Sequence, residues 1–208
     1  ATDALKNQVV ALRAELADGS SLTLAGAGKI GAVEAKDDGN GTLAVTGNAN
    51  VVTVDGDGKE VATDIGANGK ALAEVNVSGA LTANDIFTNA LKSSGSVTAA
   101  EIEVGKATVE GGVVNATKLT ATSSTETSTI KAGSVNVGEA VFAGALKMEG
   151  GVVNAKEVTL ADTTTITGDA SLIADELTVT GTDKTIQVGK DKAGDIAGSA
   201  GFLFAKKF

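Results

Sequence analysis

Read for the alternation of apolar and polar positions, the chain carries one template several times: Gly-x-Φ-x-Ala-x-x-Φ-x-Φ, with Φ apolar. Its two closest copies, Glu110-Gly-Gly-Val-Val-Asn-Ala-Thr-Lys-Leu-Thr-Ala121 and Glu149-Gly-Gly-Val-Val-Asn-Ala-Lys-Glu-Val-Thr-Leu160, lie 39 residues apart. Between and around them the four marked positions recur as Val97/Ala99/Ile102/Val104, Val114/Ala116/Leu119/Ala121, Val135/Val137/Ala140/Phe142, Val153/Ala155/Val158/Leu160 and Leu172/Ala174/Leu177/Val179. A further copy, Leu81/Ala83/Ile86/Thr88, has Thr in the last slot. First positions are 16, 17, 21, 18 and 19 residues apart, so the 39-residue echo is two turns of a shorter unit, on the scale of β-helix repeats.

Strand side chains alternate in direction, so Φ and Ala share one face of a short strand, and the two later Φ share one face of a second. The two-residue step between them turns a corner. One such coil cannot cover its own apolar face and must stack on neighbours at about 4.8 Å. The Ala slot fits a narrow core in which larger side chains would overpack. Gly precedes every copy except the one at Leu172, where Ala170 stands, and supplies the bend. A second half-coil follows each copy, as in Ser128-Thr-Ile-Lys-Ala-Gly133 and Thr164-Thr-Ile-Thr-Gly-Asp169, and brings one more recurring apolar residue. The predicted fold class is all-β, a β-solenoid (parallel β-helix). Its expected core holds Val97, Ala99, Ile102, Val114, Ala116, Leu119, Val135, Val137, Val153, Ala155, Val158, Leu172, Ala174 and Leu177.

The flanks depart from this period. Leu5, Val9, Leu12 and Leu16 form one stripe of an amphipathic helix expected over 2–18, with Thr2 or Asp3 as cap and Gly19 at its stop. That stripe either caps the first coil or docks on another subunit. Residues 19–76 read as irregular opening coils, with turn clusters at Asp37-Asp-Gly-Asn-Gly41 and Asp55-Gly-Asp-Gly58 that project as loops. Regular coils occupy 77–190, interrupted by the polar run 122–129, which is expected to bulge outward. In 191–208 a Gly/Ala-rich linker leads to Phe202-Leu-Phe-Ala-Lys-Lys-Phe208. Phe202 and Phe204 share one strand face, so this tail, with Leu203 and Phe208, can add as a strand either to its own last coil or to a neighbouring subunit. The outward slot holding Asn115, Asn136 and Asn154 in successive coils is a candidate side-chain ladder.

Composition narrows the function. The chain has 27 Gly and no Pro, Cys, His, Trp or Tyr, which suits small aliphatic coils better than an aromatic-rich globular core. A net charge of −9 with one arginine, Arg13, lacks the clustered cations of a nucleic-acid footprint. No apolar run approaches the ~18 residues of a membrane-spanning helix. An Ala1 start reads as a processed, secreted chain, with no cysteine to form disulfides.

The chemistry-bearing inventory is short. Without His or Cys there is no imidazole or thiolate for acid–base work, nucleophilic attack or metal ligation, and no cofactor is expected. Glu101, Glu103, Asp175 and Glu176 take outward slots and read as solubilising charge; a glycan-cleaving carboxylate pair would come with aromatic sugar platforms. Asp55 and Asp57 have the alternate spacing of calcium ligands, but Lys59 and the lack of a distal Glu favour an Asp-Gly turn. Gly26-Ala-Gly-Lys-Ile-Gly31 lacks the strand and long helix of a phosphate loop.

The stretch from Gly151 through Thr167-Gly-Asp-Ala-Ser-Leu-Ile-Ala-Asp-Glu-Leu-Thr-Val179 resembles the coil repeats of bactofilins, over about 79–189. The resemblance implies a cytoskeletal β-solenoid that polymerises end to end without nucleotide. The N-terminal segment, the Phe-rich tail and the arginine-poor Thr/Asn/Gly/Ala surface differ from that family and point to secreted material. The leading expectation is a non-enzymatic subunit of an extracellular filament or surface array whose partner is itself, assembled through Leu5, Val9, Leu12, Leu16, Phe202, Leu203, Phe204 and Phe208. The alternatives are an adhesin or phage-fibre segment with receptor- or glycan-contacting loops at 37–41, 55–60 and 122–129, and a bactofilin-like cytoplasmic scaffold.

Overall fold

The computed structural model describes residues 13–189 and 201–207, and these form a three-sided parallel β-solenoid of nine turns. The first coil consists of β1 (Ala14–Leu16), β2 (Ser21–Leu24) and β3 (Gly28–Ile30), one strand to a side. The second repeats it with β4 (Val33–Ala35), β5 (Asn40–Val45) and β6 (Asn48–Val54), the last extended by an antiparallel hairpin to β7 (Glu60–Ala62). In the third coil Ile65 alone represents side one, bridging in parallel to Val33 and to Ile86, followed by β8 (Leu72–Val77) and β9 (Ala80–Thr82). Next come β10 (Asp85–Ser93), β11 (Ser96–Thr98) and β12 (Glu101–Val109), where one long strand covers sides one and two. From β13 (Val113–Ala121) the long strands cover sides three and one instead, and short strands cover side two. That series runs β14 (Ser128–Ile130), β15 (Ser134–Phe142), β16 (Leu146–Met148), β17 (Val152–Leu160), β18 (Thr164–Ile166), β19 (Ser171–Val179), β20 (Ile186–Val188) and β21 (Phe202–Lys207).

Register confirms the stacking that the repeat demands. On side three the inward column runs Gly28, Ala49, Leu81, Val97, Val114, Val135, Val153, Leu172, Leu203. On side one it runs Ala14, Val33, Ile65, Ile86, Ile102, Leu119, Ala140, Val158, Leu177. Side two adds Val109, Ile130, Met148, Ile166, Val188, the recurring apolar residue of the second half-coil. All the expected core residues are buried except Ala116, which is half-buried against the same cluster. Burial of one such aliphatic side chain contributes about 1.5–3 kcal/mol. Phe142, the one fully buried aromatic among the described residues, lies in register between Leu160 and the small Ala121, which leaves room for its ring.

The helix expected over 2–18 is corrected where its residues are described. Ala14–Leu16 is a strand paired with Val33–Ala35, and Leu16 is buried in the core, because its neighbouring coil offers a partner edge that outweighs local helical spacing. The remainder of that expected helix, with Leu5, Val9 and Leu12, lies outside the described residues, as does Phe208. Residues 20–76 belong to the same stack: the cluster at 37–41 turns the corner between sides one and two, and the hairpin tip at 55–59 projects from it. The polar run 122–129 bulges outward: Ser124, Thr125, Glu126 and Thr127 are exposed, and Ser128 is the first residue after Ala121 to be buried.

The corner between sides two and three is built from stacked glycines. A Cβ at Gly95 would lie 2.0 Å from the Gly79 carbonyl oxygen, and one at Gly112, where φ is +67°, would lie 1.8 Å from that of Gly95. At Gly95 it is close approach between successive coils that demands glycine, and at Gly112 backbone conformation adds to it. Polar groups that enter the core find backbone partners: the Thr88 hydroxyl donates to the Leu72 carbonyl, and the Ser128 hydroxyl accepts from the Ala107 N–H. Thr164, fully buried on side two, is the exception among the described residues, since its hydroxyl has no hydrogen-bond partner.

Two substitutions test this packing in opposite directions. Gly112→Ala is expected to lower unfolding free energy by about 2 kcal/mol or more, from positive φ and carbonyl contact together. Thr164→Val keeps shape while removing the unpaired hydroxyl and is expected to raise it by about 1 kcal/mol. Urea denaturation followed by circular dichroism measures both; an unchanged midpoint in Gly112→Ala would contradict the glycine corner.

Candidate functional site

Three surfaces could carry function: the outward sides, the projecting hairpin, and the two ends of the stack. Side three is set apart by its lack of charge. Its outward slots from Asn48 to Ile173 hold only Asn, Thr, Ser, Ala, Val and Ile, and Lys29 in the first coil is the one charged residue in those columns among the described residues. Asn115, Asn136 and Asn154 are in register here, and the Asn136 Nδ2 donates to the Asn115 Oδ1 at 3.1 Å, so the expected ladder forms at that step.

Charge is collected on the other sides and at the corners, where it pairs from coil to coil. Glu110 lies between Lys92, at 3.4 Å, and Lys131, at 3.0 Å, thereby joining three successive coils. Lys118 and Glu139 are in-register neighbours 3.1 Å apart, and Lys184 meets Asp162 at 2.9 Å. Hydrogen bonds from neighbouring lysines hold three carboxylates below their ordinary range: Glu110 through Lys131 above all, Glu149 through Lys147, and Asp162 through Lys184. Solvent screens such exposed pairs, and each contributes little to stability.

The candidate residues do not converge on a catalytic centre. Glu101 and Glu103 are exposed on side one, while Asp175 and Glu176 pair with Lys206 and Lys207 of the tail strand. The Asp55 Oδ1 accepts the backbone N–H groups of Asp57 and Lys59, the hydrogen bonding of an Asp turn at the hairpin tip. Among the described residues no group of three or more acidic side chains is arranged to hold a metal ion, and no helix is long and apolar enough to cross a membrane. Residues 26–31 form a corner and a short strand of the first coil, with no helix following them.

The ends are different. On sides two and three, inward side chains that are fully buried one coil inside are less buried in the terminal coils: Leu22, Leu24 and Ile30 against Leu43, Val45 and Val51 at the start, Leu203 against Leu172 and Val188 against Ile166 at the finish, whereas Leu16 and Leu177 on side one are buried. At the N-terminal end a recess of about 220 Å³ is lined by Leu24, Gly28, Ile30 and Ala49. At the C-terminal end β21 pairs with β19 of its own chain, so the tail docks in cis, with Leu203 inward and Phe202 and Phe204 outward at 51% and 45% exposure. The shared face of Phe202 and Phe204 is the one that their spacing implies. The sequence places irregular opening coils over 19–76 but does not single out Leu22, Leu24 and Ile30 as an open end of the stack.

Because Glu110, Glu149 and Asp162 titrate lower in the folded chain than in the unfolded one, their contribution is present above the ordinary carboxylate range and disappears as pH falls through the depressed values. Glu110→Gln is therefore expected to lose less of its urea midpoint than the unsubstituted chain as pH falls from about 5 to about 2. Equal losses would show that the coil-to-coil pairs at Glu110 do not stabilise the fold.

Comparison of the chain with known protein families, with curated proteins and with solved structures finds no match.

Proposed function

We propose that this chain is a structural, self-assembling subunit of an extracellular filament or surface array, and that it polymerises by stacking one solenoid end on another. The observation that carries the reading is the contrast between sealed columns inside the stack and half-open columns on sides two and three at both described ends. Parallel coils make the two ends non-identical and mutually complementary, which generates open polymers rather than closed dimers. Among the described residues β1, β2 and β3 have strand partners on one edge only, as do β20 and β21. Exposed edges of this kind recruit further strands. The terminal-segment docking expected for Phe202 and Phe204 enters this reading as a way of finishing the last coil, with both rings left on the outer surface.

A second reading draws on the hairpin from Val52 to Ala62. It projects from the stack and leaves Val54 and Val61 exposed at 47% and 44%, as a receptor-contacting loop of an adhesin or fibre would. Replacing residues 55–59 by a two-residue turn separates the readings, since on this second reading it would abolish binding to cells or glycans while leaving assembly intact.

Electron microscopy and sedimentation of the pure chain, from micromolar to millimolar concentration, test the assembly reading. Unbranched filaments are expected, with an axial repeat near nine coils of about 4.8 Å, or roughly 43 Å per subunit. A monomer at every concentration contradicts it.

A further inference from the structure

Side three differs from the other two sides in charge and in the grading of its side chains. From Asn48 to Phe204 its two outward columns are uncharged over eight successive coils, although the chain carries a net charge of −9. A twofold contact through side one sets Glu101 against Glu103 of the second copy, and one through side two covers Lys92 and Lys106. Side three can be covered without opposing or desolvating a charge in its columns. Across its width the face is graded. Ala80, Ser96, Ser134 and Ser171, in the column before the inward residues, stand beside the larger Thr82, Thr98, Asn136 and Ile173 in the column after them. In the coils between, valine stands beside the longer asparagine, as Val113 does beside Asn115.

We propose that a second copy of this chain docks on side three, face to face, about a twofold axis parallel to the stack. About that axis each coil meets its own counterpart and the two columns exchange partners. Ser134 lies opposite Asn136 of the second copy, and Phe202 lies opposite Phe204, so the exposed rings of one chain cover those of the other. A twofold axis along the strands would set the small column against itself and the large column against itself, with gaps in one and overlap in the other. Asn136 already donates to Asn115 along its column, so that amide step stays satisfied when water leaves. At the rim the corner of Asp175 adjoins that of Asp169 in the second copy, and Lys206, paired with Asp175 at 2.6 Å, offsets their repulsion. Eight coils at about 4.8 Å and a width of about four strand residues cover roughly 500 Å² per copy, or about 1,000 Å² in all, enough for a weak specific dimer. The pairing axis runs along the stack, so this contact is independent of end-to-end stacking and compatible with it.

The chain has no cysteine, so single substitutions report the contact directly. Ser96→Cys and Ser171→Cys lie four coils apart in one column. Each is expected to give a covalent dimer with a bismaleimide spanning about 10 Å, the face-to-face spacing of packed sheets. Thr108→Cys, outward on side two, is expected to give none. A dimer from only one of the two serine positions shows reversed coil order and overturns the pairing. Equal yields from all three positions show indiscriminate association, and no dimer from either serine position shows that side three is not the contact; both results overturn it. Thr98→Glu sets a carboxylate into the face and is expected to raise the concentration needed for dimers in sedimentation by at least about tenfold, and an unchanged midpoint contradicts the proposal. The end-stacking reading fails separately. Short paired rods without filaments remove that reading and leave this contact, whereas filaments one solenoid wide, without cross-links at Ser96→Cys or Ser171→Cys, remove this contact and leave end stacking.

Discussion

One constraint governs the structure: an aliphatic side chain pointing inward from a three-residue strand cannot be shielded by its own coil. Shielding comes from the coil above and the coil below, so the unit of stability is the contact between windings rather than the winding itself. Val135 is fully buried because Val114 and Val153 lie in register on either side of it. Coils in the interior have such neighbours on both sides. Those at the ends do not, and the half-buried state of Leu22, Leu24, Ile30, Ile186 and Leu203 follows from that lack. The proposed assembly is the same constraint extended from one chain to the next.

The corners follow from the stacking distance. Windings about 4.8 Å apart leave no room for a side chain directed along the axis at a tight bend. Glycine at 79, 95 and 112 answers that need, and its return before every copy of the template but the one at Leu172 is the sequence record of a single line of contact. Charge obeys a related rule. Placed on sides one and two and at the corners, lysines and carboxylates of successive coils pair with one another, as Lys92, Glu110 and Lys131 do. Side three carries no charge between Asn48 and Ile173, and its surface is held instead by alternating small polar and aliphatic residues.

Much of this was legible in the residues because a coil core imposes a strict period. The columns through Val97, Val114, Val135, Val153 and Leu172 and through Ile102, Leu119, Val158 and Leu177 coincide with the marked positions of the template. Side two was less evident, since its strands in the later coils are three residues long and tolerate Ser128 and Thr164 at inward slots. The first coils hid for another reason: a hairpin and long corners break the spacing between Leu22, Leu43 and Val75, although these residues share a column. Leu16 misled because a spacing of four and three along the chain suits a helix, while the edge of β4 offered it a strand partner. The functional surfaces were partly readable. Phe202 and Phe204 were conspicuous by composition, but which edge they complete depended on the ends of the stack, and no local motif encodes those.

The central claim is the order of the windings, and methyl-resolved nuclear magnetic resonance of selectively labelled valine and leucine tests it most directly. Strong contacts are predicted for Val114 with Val135, Val135 with Val153 and Val153 with Leu172, in that sequence, with none of comparable strength between Val114 and Leu172. Contacts that skip or reorder these steps would contradict the account.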